Sequence, residues 1–319
     1  GNSPKNYRRS LFQDGTGVAA SYQLSAVSHQ AFKRGCLPLK DFRGMTQTPS
    51  EQLPLSTSGR SAMEVALEAA RLAGGMIRDR FSSTLQVSFK GRNDIVTDVD
   101  VAVEKAVLEL VRREFPDFSI LAEESQPVTT GSPYKWVVDP IDGTRNFAMG
   151  IPHFCTIVAL SHGDEPVIGV TYDPMREELF TAEKGKGAFL NGERISVSET
   201  PVLSEALLCC DLGYVDEKAC LAIDMIRSIW PGMLSLRLLG SAGLGVAYAA
   251  AGRVDMYFHH SLSPWDIVAG LVQVREAGGQ IVDKQGKPAN LQTSGVIAAN
   301  PTLIADFLKQ TDGLPWRDT

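Results

Sequence analysis

No stretch of the 319-residue chain approaches the roughly eighteen consecutive apolar residues of a membrane-spanning helix, and the N-terminus lacks a continuous apolar segment of the secretory type. These absences predict a soluble, cytoplasmic protein with no membrane partner. Cysteine is scarce: Cys36, Cys155, Cys209, Cys210 and Cys220 are odd in number and form no CxxC pair. The adjacent pair among them is ill suited to a structural bridge, so they read as reduced core thiols. The five histidines show no HxxxH or HExxH spacing, which leaves zinc without a home. Any metal must therefore be held by oxygen. No internal repeat is present.

Basic surface is also lacking. The net charge is −6, but residues 1–59 carry seven Lys/Arg against three Asp/Glu, leaving 24 against 34, or −10, for the remainder. An acidic body argues against a nucleic-acid partner, which needs clustered Lys/Arg, and suits a protein that collects divalent cations. With 44% apolar residues, the chain has enough material for one large core or two moderate ones.

Residues 1–60 mix Ser, Gln, Thr, Pro and Gly without a sustained period and are expected to hold little fixed structure. They read either as an extension, with Met45 or Met63 as a natural first residue, or as an Arg- and Ser-rich organelle import segment. From residue 61 an apolar face built on Val65, Ala69, Leu72, Met76 and Ile77 predicts a helix ending near Phe81. Val103, Val107, Leu110 and Val111 predict a second, ending before Pro116. Short apolar runs follow at 118–122, 136–139, 154–161, 167–172, 178–182 and 187–190, a mostly antiparallel meander. Beyond about residue 200, strands and helices alternate. The chain thus divides into an N-terminal α+β part, 61–199, and a C-terminal α/β part, 200–319.

The chemistry concentrates where apolar runs end. Trp136-Val137-Val138-Asp139-Pro140-Ile141-Asp142-Gly143-Thr144 is a buried strand that ends in one carboxylate and turns at once into a second, a glycine and a hydroxyl. Pro140 halts the ladder and Gly143 admits close backbone approach. A helix starting near Thr144 would aim free N–H groups at the converging carboxylates, an arrangement that holds phosphate. Glu123-Glu124 closes the run 118–122, Asp266 follows Pro264-Trp265 at a predicted helix start, and Asp98 and Asp100 precede the second helix. Singly these are turn residues, solvated glutamates and helix caps. Together they offer hard oxygen ligands of the kind magnesium takes.

Asp139-Pro140-Ile141-Asp142-Gly143-Thr144, with Glu123-Glu124-Ser125 upstream and Trp265-Asp266-Ile267-Val268-Ala269-Gly270 downstream, resembles the inositol monophosphatase family over roughly residues 61–310. The resemblance implies a layered αβαβα sandwich of the sugar phosphatase type, usually a homodimer, that hydrolyses a small sugar or cyclitol phosphate with two or three Mg2+ and is inhibited by lithium. It implies that Glu123, Asp139 and the Ile141 carbonyl hold one ion and Asp139, Asp142 and Asp266 another, with Glu123 reaching a third. Thr144, paired with Asp100, would deprotonate the attacking water, with Glu123 counted among the catalytic groups and Glu124 beside them. The N–H groups of Gly143 and Thr144 would bind phosphate, and Lys90 would close over the site.

Gly240, Ser241 and Ala242 match the family's small-residue helix start that touches the substrate ring, or else serve close helix packing. Seven residues before Asp266, inositol-specific members carry a glutamate; here it is His259, which donates as well as accepts and would be cationic beside an acidic site. His259 and His260 are then either substrate contacts or polar residues on a surface loop, and Asp211 is a weaker candidate for the same rim. Alternative substrates within the superfamily are fructose-1,6-bisphosphate, histidinol phosphate, phosphoadenosine phosphate and a dinucleotide 2′-phosphate. An alternative of another class is a vestigial site on a regulatory binding protein, whose expected sign is a lost metal ligand; Glu123, Asp139, Asp142 and Asp266 are all present.

Overall fold

The computed structural model describes residues 53–91 and 94–318. The expectation for residues 1–52 lies outside the described residues. Residues 53–60 are anchored on the second helix, where the Thr57 N–H donates to the Glu114 carbonyl at 2.8 Å. Helix α1 (Ala62–Arg80) starts in a capping box, Ser61 with Glu64, and buries Val65, Ala66, Ala69, Ala70, Ala73 and Ile77. Leu72, placed on that face by the periodicity, is instead 40% exposed, because the true stripe runs through the alanines. A small hairpin, β1 (Val87–Phe89) and β2 (Ile95–Thr97), precedes α2 (Asp98–Glu114). It lacked a readable apolar alternation, since β1 is exposed throughout.

The first sheet has seven strands in simple order: β3 (Ser119–Ala122), β4 (Tyr134–Asp142), then, after the short helix α3 (Thr144–Ala148), β5 (Cys155–His162), β6 (Glu165–Asp173), β7 (Glu178–Glu183), β8 (Gly187–Leu190) and β9 (Glu193–Arg194). Only β3 with β4 is parallel, so the expected meander holds. The second sheet draws on β10 (Leu207–Cys210), β11 (Ser235–Leu238), β12 (Met256–His259), β13 (Gln280–Val282) and β14 (Val296–Ala299), in the order β11-β10-β12-β14-β13. It is parallel among β11, β10 and β12 and antiparallel beyond. Its helices are α4 (Asp216–Ile229), α5 (Ala242–Ala250), α6 (Pro264–Glu276) and α7 (Pro301–Gln310).

Three apolar clusters stack these elements into an αβαβα sandwich. One joins α1 and α2 to the outer face of the first sheet. The next fills both sides of α5 and α6 between the sheets, and the last packs α4 and α7 on the far face of the second sheet. Helices buried on two sides must be apolar all round, as α5 and the stretch 267–272 of α6 are. Gly169 on β6 makes the close approach possible, since a Cβ there would lie 2.6 Å from the Ala269 carbonyl oxygen. Cys209 and Cys210 point to opposite faces of β10 and enter different cores, as the two-residue strand period requires. Both are free thiols, as is buried Cys155. Among the described residues, no helix is long and apolar enough to cross a membrane.

Candidate active site

The acidic pocket forms where β4 ends. Asp139 and Asp142 are three apart, so regular alternation would send their side chains to opposite faces. A bulge intervenes: Asp139 pairs with Ile157 but Asp142 with Cys155, and the extra residue in the Pro140-Ile141 step lets both carboxylates enter one pocket. The chain then reverses at Gly143, whose φ of 95° is left-handed and which caps α3. A Cβ there would meet the Gly240 carbonyl oxygen at 3.1 Å and that of His153 at 3.2 Å. Gly143→Ala is therefore expected to lower Tm and cut kcat by about a hundredfold, because a left-handed alanine costs ~1–2 kcal/mol before any clash; thermal melts and steady-state rates check it.

Other elements bring further carboxylates to the same place. Glu123 follows β3, and Asp266 stands at the third position of α6, where Oδ2 accepts the Ser263 N–H at 2.7 Å. Oxygens of Asp139, Asp142 and Asp266 lie within 4.8 Å of one another. Glu123 is hydrogen-bonded to Asp139 and ion-paired to Lys90, 2.8 Å from its Nζ. Lys90 also reaches Glu124 at 2.6 Å, while the Glu124 N–H is held by Glu104 at 2.7 Å.

Thr144, first residue of α3, has its hydroxyl 3.0 Å from Asp100 Oδ1 and 2.8 Å from the Ile141 carbonyl oxygen. Asp100 is fixed in turn by a capping box with Thr97. The acidic residue that reads as a helix cap is thus both a cap and a partner of Thr144.

Burial, then the charges of Glu123, Asp142 and Asp266, pushes the Asp139 carboxyl well above its usual range. Burial likewise raises Asp266, reinforced by Asp142. Asp142 and Asp100 are also raised by burial, against the pull of their hydrogen bonds. Glu124 is pushed to about 7 by burial, with Lys90 opposing. For Lys90 burial works against the charge, but its two glutamates outweigh it and hold the ammonium above its ordinary range. Carboxylates gathered this closely repel one another, and cations relieve that cost.

The expected substrate contacts fare differently. Gly240 is exposed, and its N–H donates to Asp211 Oδ1 at 2.6 Å. Ser241 caps α5 and donates its hydroxyl to Asp142, whose carboxylate also accepts the N–H groups of Ala242 (3.1 Å) and Gly243 (2.9 Å). Ser241, Ala242 and Gly243 therefore orient Asp142. Asp211 spends its oxygens on Leu239, Gly240 and Tyr257, and burial lifts it to about 6.

His259 and His260 are not on a surface loop. His259 ends β12 at 3% exposure, His260 is 1% exposed, and their rings stack at 4.7 Å outside the pocket. Neither is cationic: burial, then His260 and Lys218, depresses His259 to about 3, and burial with Lys218 and Lys284 depresses His260 to about 4. A neutral buried histidine gives stability that is complete above its unfolded value and lost as pH falls toward the folded one. Urea unfolding should show the wild type losing about 1 kcal/mol more than His260→Phe between about pH 7.5 and about pH 5.5.

Sequence reasoning missed four groups here. Asp94, Tyr214 and Ser263 line the pocket, and Asn146 ties α3 to the turn before α5 through the His153 and Leu239 carbonyls, both at 2.8 Å. A neighbouring motif would have flagged only Ser263, three before Asp266.

The layered sandwich thus gathers buried carboxylates at a strand end, beside a hydroxyl–carboxylate pair. The model of the "Inositol monophosphatase family" matches residues 60–312, and the chain belongs to that family. It is similar to the "Nus factor SuhB" of Salmonella typhimurium, 38% identical over 250 residues, covering 77% of this chain and 94% of that protein. The "Inositol monophosphatase" of Dictyostelium discoideum is 36% identical over 256 residues, 77% of this chain and 93% of that one. Among solved structures, the IMPase of Thermotoga maritima superposes with a TM-score of 0.73 at 35% identity, covering 79% of this chain and 97% of its own.

Proposed function

We propose that the protein is a magnesium-dependent phosphomonoesterase that hydrolyses a small sugar or cyclitol phosphate, such as inositol 1-phosphate, with water as nucleophile. The observation that carries this reading is the meeting of Glu123, Asp139, Asp142 and Asp266 in one pocket beside the Thr144–Asp100 pair. The donor set fits magnesium: every group is a hard oxygen, and buried Asp139 Oδ1 has no hydrogen-bond partner among the described residues. Glu123, Asp139, the Ile141 carbonyl, Asp142 and Asp266 would hold two or three ions. Magnesium bound there supplies positive charge that eases deprotonation of water and offsets charge on the phosphate.

The chain supplies the rest. Thr144, its own proton directed to Asp100, presents a lone pair to the attacking water and passes the proton on to that carboxylate. The N–H groups of Gly143 and Thr144 face the phosphate oxygens, and Glu124, held near neutrality, stands beside Glu123 as a reserve acid. Lys90 bridges the two glutamates across the mouth. With the family resemblance come lithium inhibition, a homodimer and a cytoplasmic setting.

The name of the bacterial relatives, Nus factor, favours a second reading, a regulatory binding protein on the same fold. Hydrolysis of p-nitrophenyl phosphate separates the two: magnesium-dependent turnover supports the enzyme, and its absence in pure, folded protein supports the regulator.

A further inference from the structure

One wall of the acidic pocket has no role in the scheme above. Tyr214, on the loop between β10 and α4, lines the pocket with the carboxylates and is 51% exposed. The Arg145 guanidinium lies 4.3 Å from its ring centroid, a cation–π contact that holds one ring face. Arg145 follows Thr144 directly on α3, so the aromatic wall is referenced to the helix whose start faces the phosphate. His259 packs against this loop, where a Cβ on Gly213 would lie 3.1 Å from its Cε1.

The remaining lining is charged, small or committed. Carboxylates and Lys90 serve ions and phosphate, and Trp265, the other aromatic side chain in the lining, packs against the central helical core. The alcohol half of an ester bound by its phosphate therefore meets Tyr214, which offers a flat apolar face rimmed by a hydroxyl. A cyclic polyol has the complementary shape, with C–H groups forming a face and hydroxyls around its edge. An open-chain ester presents no such face.

We propose that Tyr214, positioned by Arg145, is a specificity-determining residue that stacks on the ring of a cyclic polyol phosphate and favours it over open-chain phosphate esters. The proposal rests on the phosphatase reading and assigns its substrate class. The test measures kcat/KM with magnesium for inositol 1-phosphate and glycerol 2-phosphate in wild type, Tyr214→Ala, Tyr214→Phe and Arg145→Met. The expected result is a cyclic-to-open-chain ratio that falls about tenfold in Tyr214→Ala, through KM for the cyclic ester, and about threefold in Arg145→Met, with Tyr214→Phe keeping most of the preference. The rise in Tm on adding magnesium should match wild type in each variant, which separates lost stacking from lost folding. If Tyr214→Ala does not fold, the Arg145→Met and Tyr214→Phe ratios decide. An active wild type whose ratio is unmoved in the variants overturns the proposal alone. A wild type inactive on both esters overturns the phosphatase reading, and the proposal with it.

Discussion

Asp139→Asn is expected to lower magnesium-dependent kcat by at least about a thousandfold and to raise the Tm of the metal-free protein. The two effects have one cause. Asp139 is 1% exposed and faces Glu123, Asp142 and Asp266, so its charge is costly until cations share it. A carboxyl whose folded pKa lies above its unfolded value contributes stability that is complete below the unfolded value and lost as pH rises through the folded one. At neutral pH the metal-free protein therefore bears the repulsion, and the isosteric amide removes part of it. Magnesium should stabilise the wild type, by about 2.7 kcal/mol at a hundredfold excess over Kd, and barely move the variant. Calorimetry with and without EDTA, beside p-nitrophenyl phosphate turnover, checks both halves. A variant that keeps a tenth or so of wild-type turnover would remove Asp139 from the machinery.

Thr144→Ala and Asp100→Asn should each lower kcat by about a hundredfold to a thousandfold while leaving KM nearly unchanged. The hydroxyl and the carboxylate, 3.0 Å apart, act as one unit, so the double variant should be little slower than either single one. Multiplicative losses would show two independent roles and break the pair apart. Thr144→Ser, which keeps the oxygen, should recover most of the rate. Asp100→Asn also disturbs the cap of α2, so its Tm should fall modestly while that of Thr144→Ala need not.

The layered fold was legible because its signals are local. The stripe of Val103, Val107 and Val111, the apolar run of β4 leading into Asp139, and Pro264 and Pro301 opening helices each state their element without long-range information. The acidic residues could be found for the same reason, since each sits where an apolar run stops or a helix starts. What the chain did not disclose was side-chain direction. Ser241 and Ala242 read as substrate contacts or as close helix packing, and nothing local announces that the Ser241 hydroxyl and the Ala242 N–H bond Asp142, about a hundred residues away. His259 reads as cationic beside an acidic site, and burial at the end of β12 makes it neutral. Tyr214 sits in a loop with no period at all, and only the fold brings it beside Arg145.

The bulge at Pro140 also has a bearing on heredity. Asp139 and Asp142 share a pocket only because one surplus residue offsets the ladder between β4 and β5. Deleting or inserting a single codon there would leave every acidic letter in the gene and still shift Asp142 and the Gly143 turn along β5 relative to Asp139. Drift along this strand is thus confined to substitutions, and its spacing should outlast much of its spelling.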